Sequence, residues 1–284
     1  MTDGVRLDYD GPVATVTLDR PDVLNAQTPQ MWHALREIGR ELRGDVRVVV
    51  VRGAGRAFSS GLDRGFVRSL VEPAAGDASE DPGAADAPQG PGAADASEPG
   101  GASRSTAATL VDLPPQECAA RIEQFQEAFT WLGRPDLISV AAVHGPAVGA
   151  GFQLALACDL RVLADDARLR MAEVTLGLVP DLGGTRRLVE LVGYSRALEI
   201  CVTGRWVDAT ESARIGLANL VVPAAELVPA VTDLTAAVLA GPRDAVVEIK
   251  ALLAGALDRS PAAQRRAERE AQTRRIRDLA GLGD

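Results

Sequence analysis

The spacing of apolar residues along this 284-residue chain alternates between two periods. Residues 5–10 and 13–19 alternate apolar and polar side chains, which predicts two neighbouring strands. Residues 28–42 carry apolar side chains three and four positions apart, and Thr28 before a proline is a typical N-cap, so this segment predicts an amphipathic helix. Residues 47–51 hold an unbroken run of valines and predict a strand covered on both faces, as in a parallel sheet.

The same alternation of strand-like and helix-like segments returns after residue 113. Residues 114–132 have an amphipathic helical pattern, and the apolar run 137–143 predicts another buried strand. That strand enters a glycine-rich turn, which a helix-like segment follows. Further helices are predicted near 184–192, 194–203 and 208–215, a short strand at 216–222, and helices over the last sixty or so residues. Alternating strands and helices predict an α/β fold with a helical C-terminal section.

Residues 72–110 break this pattern. They consist mainly of Ala, Gly, Pro, Asp and Ser, and the motif PGAADA occurs at 82–87 and again at 91–96. A segment without apolar faces cannot offset the conformational entropy lost on ordering, so we predict a disordered insertion here. The chain would then comprise one core domain formed by residues 1–71 and 111–222, this low-complexity insertion at 72–110, and a C-terminal helical region at 223–284.

Composition and charge narrow the class of protein. A formal net charge of −9 lacks the basic footprint of a nucleic-acid binder. The longest apolar run, residues 138–158, is interrupted by His144 and Gln153, so a strand, a turn and a buried helix explain it better than a membrane span. The N-terminus lacks a signal-peptide pattern, and the cysteines fit no metal-binding spacing. We therefore expect a cytoplasmic protein with no membrane or nucleic-acid partner and no metal site.

The stretch from residue 144 to residue 181 combines glycines with isolated acids. Gly149 and Gly151 lie between a predicted strand and a predicted helix, and Glu173 and Asp181 stand in mostly apolar surroundings. N–H groups at a helix start attract anions and carboxylates transfer protons, so the pattern indicates a site that stabilises a developing anion. Other interpretations stay open: the glycines could form tight turns only, Glu173 could be a paired surface acid, and Asp181 could cap the next helix. A G-x-G-x-x-G motif is absent, which argues against a dinucleotide cofactor.

Five ordered segments resemble the enoyl-CoA hydratase/isomerase (crotonase) family, and the likeness covers nearly the whole chain outside residues 72–110. They are VATVTLDRPDVLNAQ (13–27), VVVVRGAGRAFSSGLD (48–63), VAAVHGPAVGAGFQLALACDLRVL (140–163), MAEVTLGLVPDLGGTRRL (171–188) and TGRWVDATESARIGLANLVVP (203–223). The resemblance implies a crotonase-like spiral of β-β-α repeats with a C-terminal helical trimerisation region, assembled as a homotrimer or a dimer of trimers. It also implies an acyl-CoA thioester substrate, so that coenzyme A is part of the substrate and no separate cofactor is needed.

By the same resemblance, the enolate of the thioester would bind in an oxyanion hole formed by two backbone N–H groups. Leu62, after the glycine of SSGLD, and Ala150, inside GAG, match these two donors. Losing one such donor costs an enzyme roughly 10²–10³ in rate. The positions that match substrate-binding segments of the family are Asn25, Ala26, Ser60, Gly61, Asp63 and Gly149.

The proton-transfer groups distinguish between reactions. Hydratases of this family hold a water between two glutamates; Glu173 matches the second, but the first falls on Gln153, whose neutral amide could only orient a water or the substrate. Asp181 matches the acid of members that shift double bonds, notably dienoyl-CoA isomerases, although those also carry an acid where this chain has Gln153. We therefore predict a (di)enoyl-CoA isomerase with Glu173 as the base and Asp181 as the proton donor. The alternatives are an enoyl-CoA hydratase acting on trans-2-enoyl-CoA in fatty-acid or related acyl-CoA degradation, and a non-catalytic acyl-CoA-binding protein.

Overall fold

The computed structural model describes residues 3–71, 110 and 112–282 of the chain. Its strands form a six-stranded sheet and a three-stranded sheet. The strands are β1 (Val5–Asp10), β2 (Val13–Leu18), β3 (Val48–Gly53), β4 (Ile138–Val143), β5 (Pro146–Val148), β6 (Leu160–Ala164), β7 (Arg168–Arg170), β8 (Trp206–Asp208) and β9 (Leu220–Val222). The large sheet has the order β1-β2-β3-β4-β6-β9, and all its pairs are parallel except β1 with β2. The small sheet has the order β5-β7-β8.

Helices surround both sheets. They are α1 (Pro29–Glu41), α2 (Arg64–Val71), α3 (Pro115–Thr130), α4 (Ala150–Ala157), α5 (Gly184–Val192), α6 (Tyr194–Thr203), α7 (Ala209–Arg214), α8 (Leu227–Ala240), α9 (Arg243–Ala254) and α10 (Pro261–Leu279). The helix predicted at 28–42 is confirmed together with its cap, because the Thr28 side chain accepts a hydrogen bond from the N–H of Met31. The helices predicted at 184–192 and 194–203 begin and end where the apolar spacing placed them.

The valine-rich strands are covered on both faces. Val49 and Val51 of β3 belong to the main core, which α1, α3 and α4 help to form. Val48 and Val50 point to the other face and pack in a second cluster with Leu227 and Val231 of α8. Because successive side chains of a strand point to opposite faces, a strand buried on both sides must be apolar throughout. This arrangement confirms the buried parallel strand predicted at 47–51.

Two local predictions differ from the structure. The strand predicted at 216–222 is paired only over its last three residues, because Gly216 adopts a φ of +83° and the N–H of Leu217 bonds back to the carbonyl of Ser212. Strands β5, β7 and β8 have three residues each and were not predicted, since so short a segment shows no measurable period. The predicted insertion at 72–110 lies outside the described residues, apart from residue 110.

The C-terminal region is helical, as predicted. Helix α8 packs on β3, β4 and β6, and α9 contacts α10. Among the described residues, no single helix is long and apolar enough to cross a membrane. Residues 224–240 and 243–254 meet that length and composition together, but they are bent by 104°.

Candidate active site

The predicted oxyanion donor Leu62 lies on the loop that follows β3. Ser59, three residues earlier, forms a parallel bridge with Ala147 of β5. This pairing places the loop beside the segment that precedes α4. Gly61 has a φ of +89°, and a Cβ added there would lie 2.7 Å from the carbonyl oxygen of Val148. Glycine is therefore required at this position, and it brings the N–H of Leu62 next to the start of α4.

The second predicted donor, Ala150, is the first residue of α4. The N–H groups of Leu62 and Ala150 have no hydrogen-bond acceptor within the described parts of the chain. Gly149 caps the helix with a φ of +49° and donates its own N–H to the carbonyl of Arg170. Unpaired N–H groups at a helix start carry partial positive charge, so both predicted donors are free to bind an anion.

A buried polar network holds the loop that carries Leu62. The Ser59 hydroxyl donates to the carbonyl of Asn25 and accepts hydrogen bonds from the N–H of Gly61 and the amide of Gln27. Trp32 of α1 donates its indole N–H to the other end of the Gln27 amide. Because buried polar groups are costly to leave unpaired, this network fixes the loop in one conformation.

The six predicted substrate-binding positions lie in this loop, in the neighbouring loop before α1, or at the α4 cap. The Asn25 side chain is fully buried; it donates to the carbonyls of Ala54 and Ala57 and accepts from the N–H of Arg20. Asp63 pairs with Arg20 at 3.1 Å. The Ser60 hydroxyl donates a hydrogen bond to the carbonyl of Val23. The side chain of Ala26 is buried, and the other two positions, Gly61 and Gly149, have no side chain. These side chains hold the loops, so contact with a substrate at these positions would use the backbone.

Glu173 begins a 3₁₀ turn after β7 and is only 6% exposed. One carboxylate oxygen, Oε1, accepts a hydrogen bond of 2.7 Å from the amide of Gln153, and Oε2 has no partner among the described residues. A Cβ added at Gly149 would lie 3.3 Å from Oε1, so the carboxylate is beside the start of α4. Burial raises the pKa of Glu173, and the charge of Asp181 raises it further, while the backbone of Glu173 and the Gln153 hydrogen bond oppose both. Glu173 is therefore not the paired surface acid of the alternative interpretation.

Asp181 lies between this 3₁₀ turn and α5. The cap of α5 is Gly183, with no side-chain hydrogen bond, so Asp181 is not the helix cap that the sequence also allowed. Burial raises the pKa of its carboxyl group. Its backbone carbonyl accepts a hydrogen bond of 2.6 Å from the side chain of Gln126 on α3. The charge of Asp181, when it is ionised, raises the pKa of Glu173.

Gln153 connects Glu173 to the backbone that follows Asp181. It lies on α4, is 1% exposed, and donates its amide N–H to Glu173. Its Oε1 accepts from the N–H groups of Leu182, at 2.9 Å, and Gly184, at 3.3 Å. Two donors on the oxygen and a carboxylate on the nitrogen fix the orientation of this amide.

Gln126 was not identified from the sequence, because nothing in the amphipathic pattern of residues 114–132 marks a side chain that reaches another segment.

One large cavity lies away from these groups. It has a volume of about 700 Å³ and lies between the ends of α3 and α4 and helices α5, α8 and α9. Leu182 and Gly183 line it, so it adjoins the Asp181 segment, but Leu62, Ala150 and Glu173 do not. Volume alone therefore does not mark the candidate site, which is defined by the two free N–H donors, the buried carboxylate of Glu173 and the half-buried Asp181.

Comparison with known proteins identifies the family. The model of a family described as enoyl-CoA hydratase/isomerase matches residues 8–75 and 110–279. A Mycobacterium leprae protein assigned as an enoyl-CoA hydratase is 30% identical over 219 residues, which are 76% of this chain and 68% of the relative. A Bacillus subtilis protein assigned as an enoyl-CoA hydratase/isomerase is 30% identical over 241 residues, covering 84% of this chain and 76% of its own. The chain belongs to the enoyl-CoA hydratase/isomerase family.

Solved structures confirm the predicted crotonase-like fold. A Thermobifida fusca protein assigned as an enoyl-CoA hydratase, in complex with CoA, is 42% identical with a TM-score of 0.81, over 99% of this chain and 95% of its own. Its complex with acetoacetyl-CoA gives 42% identity and a TM-score of 0.82, over 98% and 96% of the two chains.

Proposed function

We propose that this protein is an acyl-CoA isomerase that shifts the double bond of an enoyl- or dienoyl-CoA thioester. Glu173 is the base, Asp181 is the proton donor, and the N–H groups of Leu62 and Ala150 bind the enolate oxygen. The observation that carries this proposal is the hydrogen bonding of Gln153, whose amide oxygen accepts two N–H groups and whose nitrogen donates to Glu173.

Hydration of a double bond by this family's route needs two carboxylates that accept hydrogen bonds from one water. The amide of Gln153 cannot take a proton, and its oxygen is already occupied by backbone donors. The free acceptor is Oε2 of Glu173. One buried base with a second acid nearby suits proton transfer between two carbon atoms better than activation of a water.

The proposed reaction takes one proton from the substrate and returns another, so the formula is unchanged, and exchange with solvent then deprotonates Glu173 and reprotonates Asp181. For a 3-enoyl thioester, Glu173 removes a proton from C2, and the electron pair passes to the thioester oxygen, giving a dienolate. The N–H groups of Leu62 and Ala150 stabilise that oxygen. Asp181 then donates a proton to C4, and the double bond forms between C2 and C3. The pKa values of both acids are raised by burial, which brings a base and a proton donor closer to neutral pH.

The two Thermobifida fusca complexes support a CoA thioester as the substrate class. Acetoacetyl-CoA has an acidic C–H group between two carbonyls, so it can form the kind of enolate that this site is proposed to stabilise. Coenzyme A is then part of the substrate, and the proposed steps use no separate cofactor. Exposed apolar side chains of the C-terminal helices and the turn between them, including Leu253, Leu257 and Leu279, support a homotrimer or dimer of trimers, which light scattering would test.

Enoyl-CoA hydration is the second candidate, because the relatives carry that assignment. In this case Glu173 and Asp181 would activate the water.

Incubation of the purified protein in heavy water with trans-2-enoyl-CoA and, separately, 3-enoyl-CoA distinguishes the reactions by product mass. Isomerisation leaves the formula unchanged apart from deuterium incorporation, whereas hydration adds the mass of water. Tight binding without either product would instead identify an acyl-CoA-binding protein and overturn the proposal.

Replacing Gln153 by Glu tests the observation on which the proposal rests. We expect Gln153→Glu to raise hydration of trans-2-enoyl-CoA about tenfold or more, because a second carboxylate beside Glu173 can hold a water with it. The double-bond shift should fall, since neighbouring carboxylates raise each other's pKa. Initial rates of both reactions measure the change, and Gln124→Glu, at an exposed position of α3, is the control. Unchanged hydration would mean that Gln153 does not select the reaction.

Replacing Asp181 by Asn separates the two proton transfers. We expect Asp181→Asn to reduce isomer formation by about 10²-fold, the lower end of what an acid–base group contributes. Exchange of the C2 proton with heavy water should continue, because Glu173 still removes and returns that proton. Mass spectrometry of the recovered substrate measures this exchange. Full isomerase activity in this variant would contradict the role given to Asp181.

A further inference from the structure

One path of hydrogen bonds, partly buried at its first bond and buried at the next two, joins α3 to the carboxylate of Glu173. The Gln126 amide donates to the carbonyl of Asp181 at 2.6 Å. The N–H of that same peptide group, which belongs to Leu182, donates to the oxygen of Gln153 at 2.9 Å. The amide nitrogen of Gln153 then donates to Oε1 of Glu173 at 2.7 Å. Three amide groups are therefore linked in series and end on the base.

All three bonds run in the same direction. The Asp181–Leu182 peptide group and the Gln153 amide each accept through the oxygen and donate through the nitrogen of one conjugated group, and Gln126 supplies the first donor. Hydrogen bonds in such a chain polarise one another and strengthen the final donor. The N–H of Gly184, at the start of α5, also bonds the Gln153 oxygen and adds to this polarisation. The last N–H therefore offers Glu173 more positive charge than an isolated amide would.

The first residue of this path is held by rigid surroundings. Gln126 lies on α3 between Phe125 and Ala128, which are buried, and α3 packs on α1 and α4. Phe125 contacts the ring of Trp32, whose centroid is 4.9 Å away. Because α3 is anchored in this way, the Gln126 amide can hold the Asp181–Leu182 peptide group in one orientation.

We propose that Gln126 is a positioning residue: it starts a polarised chain of three amides that fixes the Asp181 segment and stabilises the ionised carboxylate of Glu173. This role rests on the proposed function, in which Glu173 is the base and Asp181 the proton donor. Gln126 itself touches neither the proposed reacting atoms nor the Glu173 side chain, so it acts through Gln153.

Other groups near Glu173 oppose this stabilisation. Asp181, on the segment before α5, adds negative charge, and the burial of Glu173 disfavours its ionised form. The pKa of the Cys201 thiol of α6 is raised by its burial and by the charge of Glu173. The Gln153 hydrogen bond is the side-chain contact that favours the carboxylate. Weakening the amide chain should therefore raise the pKa of Glu173.

The test is a carboxyl titration by ¹³C NMR on full-length protein labelled at glutamate, with Glu173→Gln used to assign the signal. In Gln126→Met, which keeps the side-chain length without a donor, we expect the pKa of Glu173 to rise by about half a unit to one unit. The kcat for isomerisation should fall about tenfold, with KM changed less than twofold. Gln124→Met, two residues away on the exposed side of α3, should change neither quantity.

A second variant tests whether the shift comes from the lost hydrogen bond or from altered packing at residue 126. Gln126→Leu also lacks a donor and adds no charge but differs in shape from methionine, so the pKa of Glu173 should rise as far as in Gln126→Met. A wild-type pKa of Glu173 in both variants would overturn the proposal, whatever their activity. The titration does not depend on turnover: if no enoyl-CoA reacts, the proposed function fails, and the shift in pKa still decides the amide chain.

Discussion

Replacing Glu173 by Gln is expected to lower kcat for the double-bond shift by about 10³-fold, within the range of an acid–base group. The variant should still bind the thioester, because the N–H groups of Leu62 and Ala150 are unchanged. Its fold should also persist, since glutamine has the same shape and its oxygen can still accept the hydrogen bond from Gln153. Rates and thioester affinity measure the two effects, and Glu226→Gln, at an exposed position, is the control.

The same variant should be more stable than the wild type at neutral pH. Burial raises the pKa of Glu173 in the folded protein, so the folded state binds more protons than the unfolded state around that pKa. The contribution of Glu173 to the free energy of unfolding is therefore favourable at low pH and is lost as the pH rises through the folded-state pKa. Urea unfolding of both proteins should show the advantage of Glu173→Gln at pH 7 and its disappearance below about pH 4, where the unfolded carboxyl is also protonated. Equal stability at pH 7 would contradict a buried, ionised carboxylate.

Replacing Ala150 by Pro is expected to lower kcat by about 10²–10³-fold, because proline has no N–H and one oxyanion donor disappears. Ala150 is the first residue of α4, the position where a helix tolerates proline, and its N–H has no acceptor within the described residues. The change therefore removes a donor from the site without removing a helical hydrogen bond.

A matched control for this variant exists on α6. Tyr194 is also the first residue of its helix, follows a glycine cap, and is exposed. Tyr194→Pro should leave kcat unchanged, and circular dichroism should show the same helix content in both proline variants. If Ala150→Pro is folded and fully active, Ala150 does not belong to the oxyanion hole.

The local pattern of apolar and turn residues was sufficient to predict most of the helices and strands. The buried strand at 48–51, the capped helix α1 and helices α5 and α6 follow from apolar spacing and turn residues that lie within a few positions of one another. The three-residue strands of the small sheet were missed, because their pairing depends on partners far along the chain. The family's motifs also predicted the two backbone N–H donors, because the glycines of these motifs form turns that leave such N–H groups exposed.

The burial and hydrogen bonding of each carboxylate were decided by the tertiary structure. The sequence marked Glu173, Gln153 and Asp181, but it allowed Glu173 to lie at the surface and Asp181 to cap a helix. The hydrogen bond between Gln153 and Glu173 joins residues 20 apart, and the one between Gln126 and the Asp181 carbonyl joins residues 55 apart.

The physical reason is that burial and hydrogen-bond direction depend on contacts between distant segments. Periodicity reports only which face of an element is apolar, and it says nothing of which amide reaches which carboxylate. The sequence by itself therefore indicated the family, most of the α/β elements and the two N–H groups predicted to be donors. The folded chain decided that Glu173 is buried with one free oxygen, that Gln153 has a fixed orientation, and that Gln126 is connected to both.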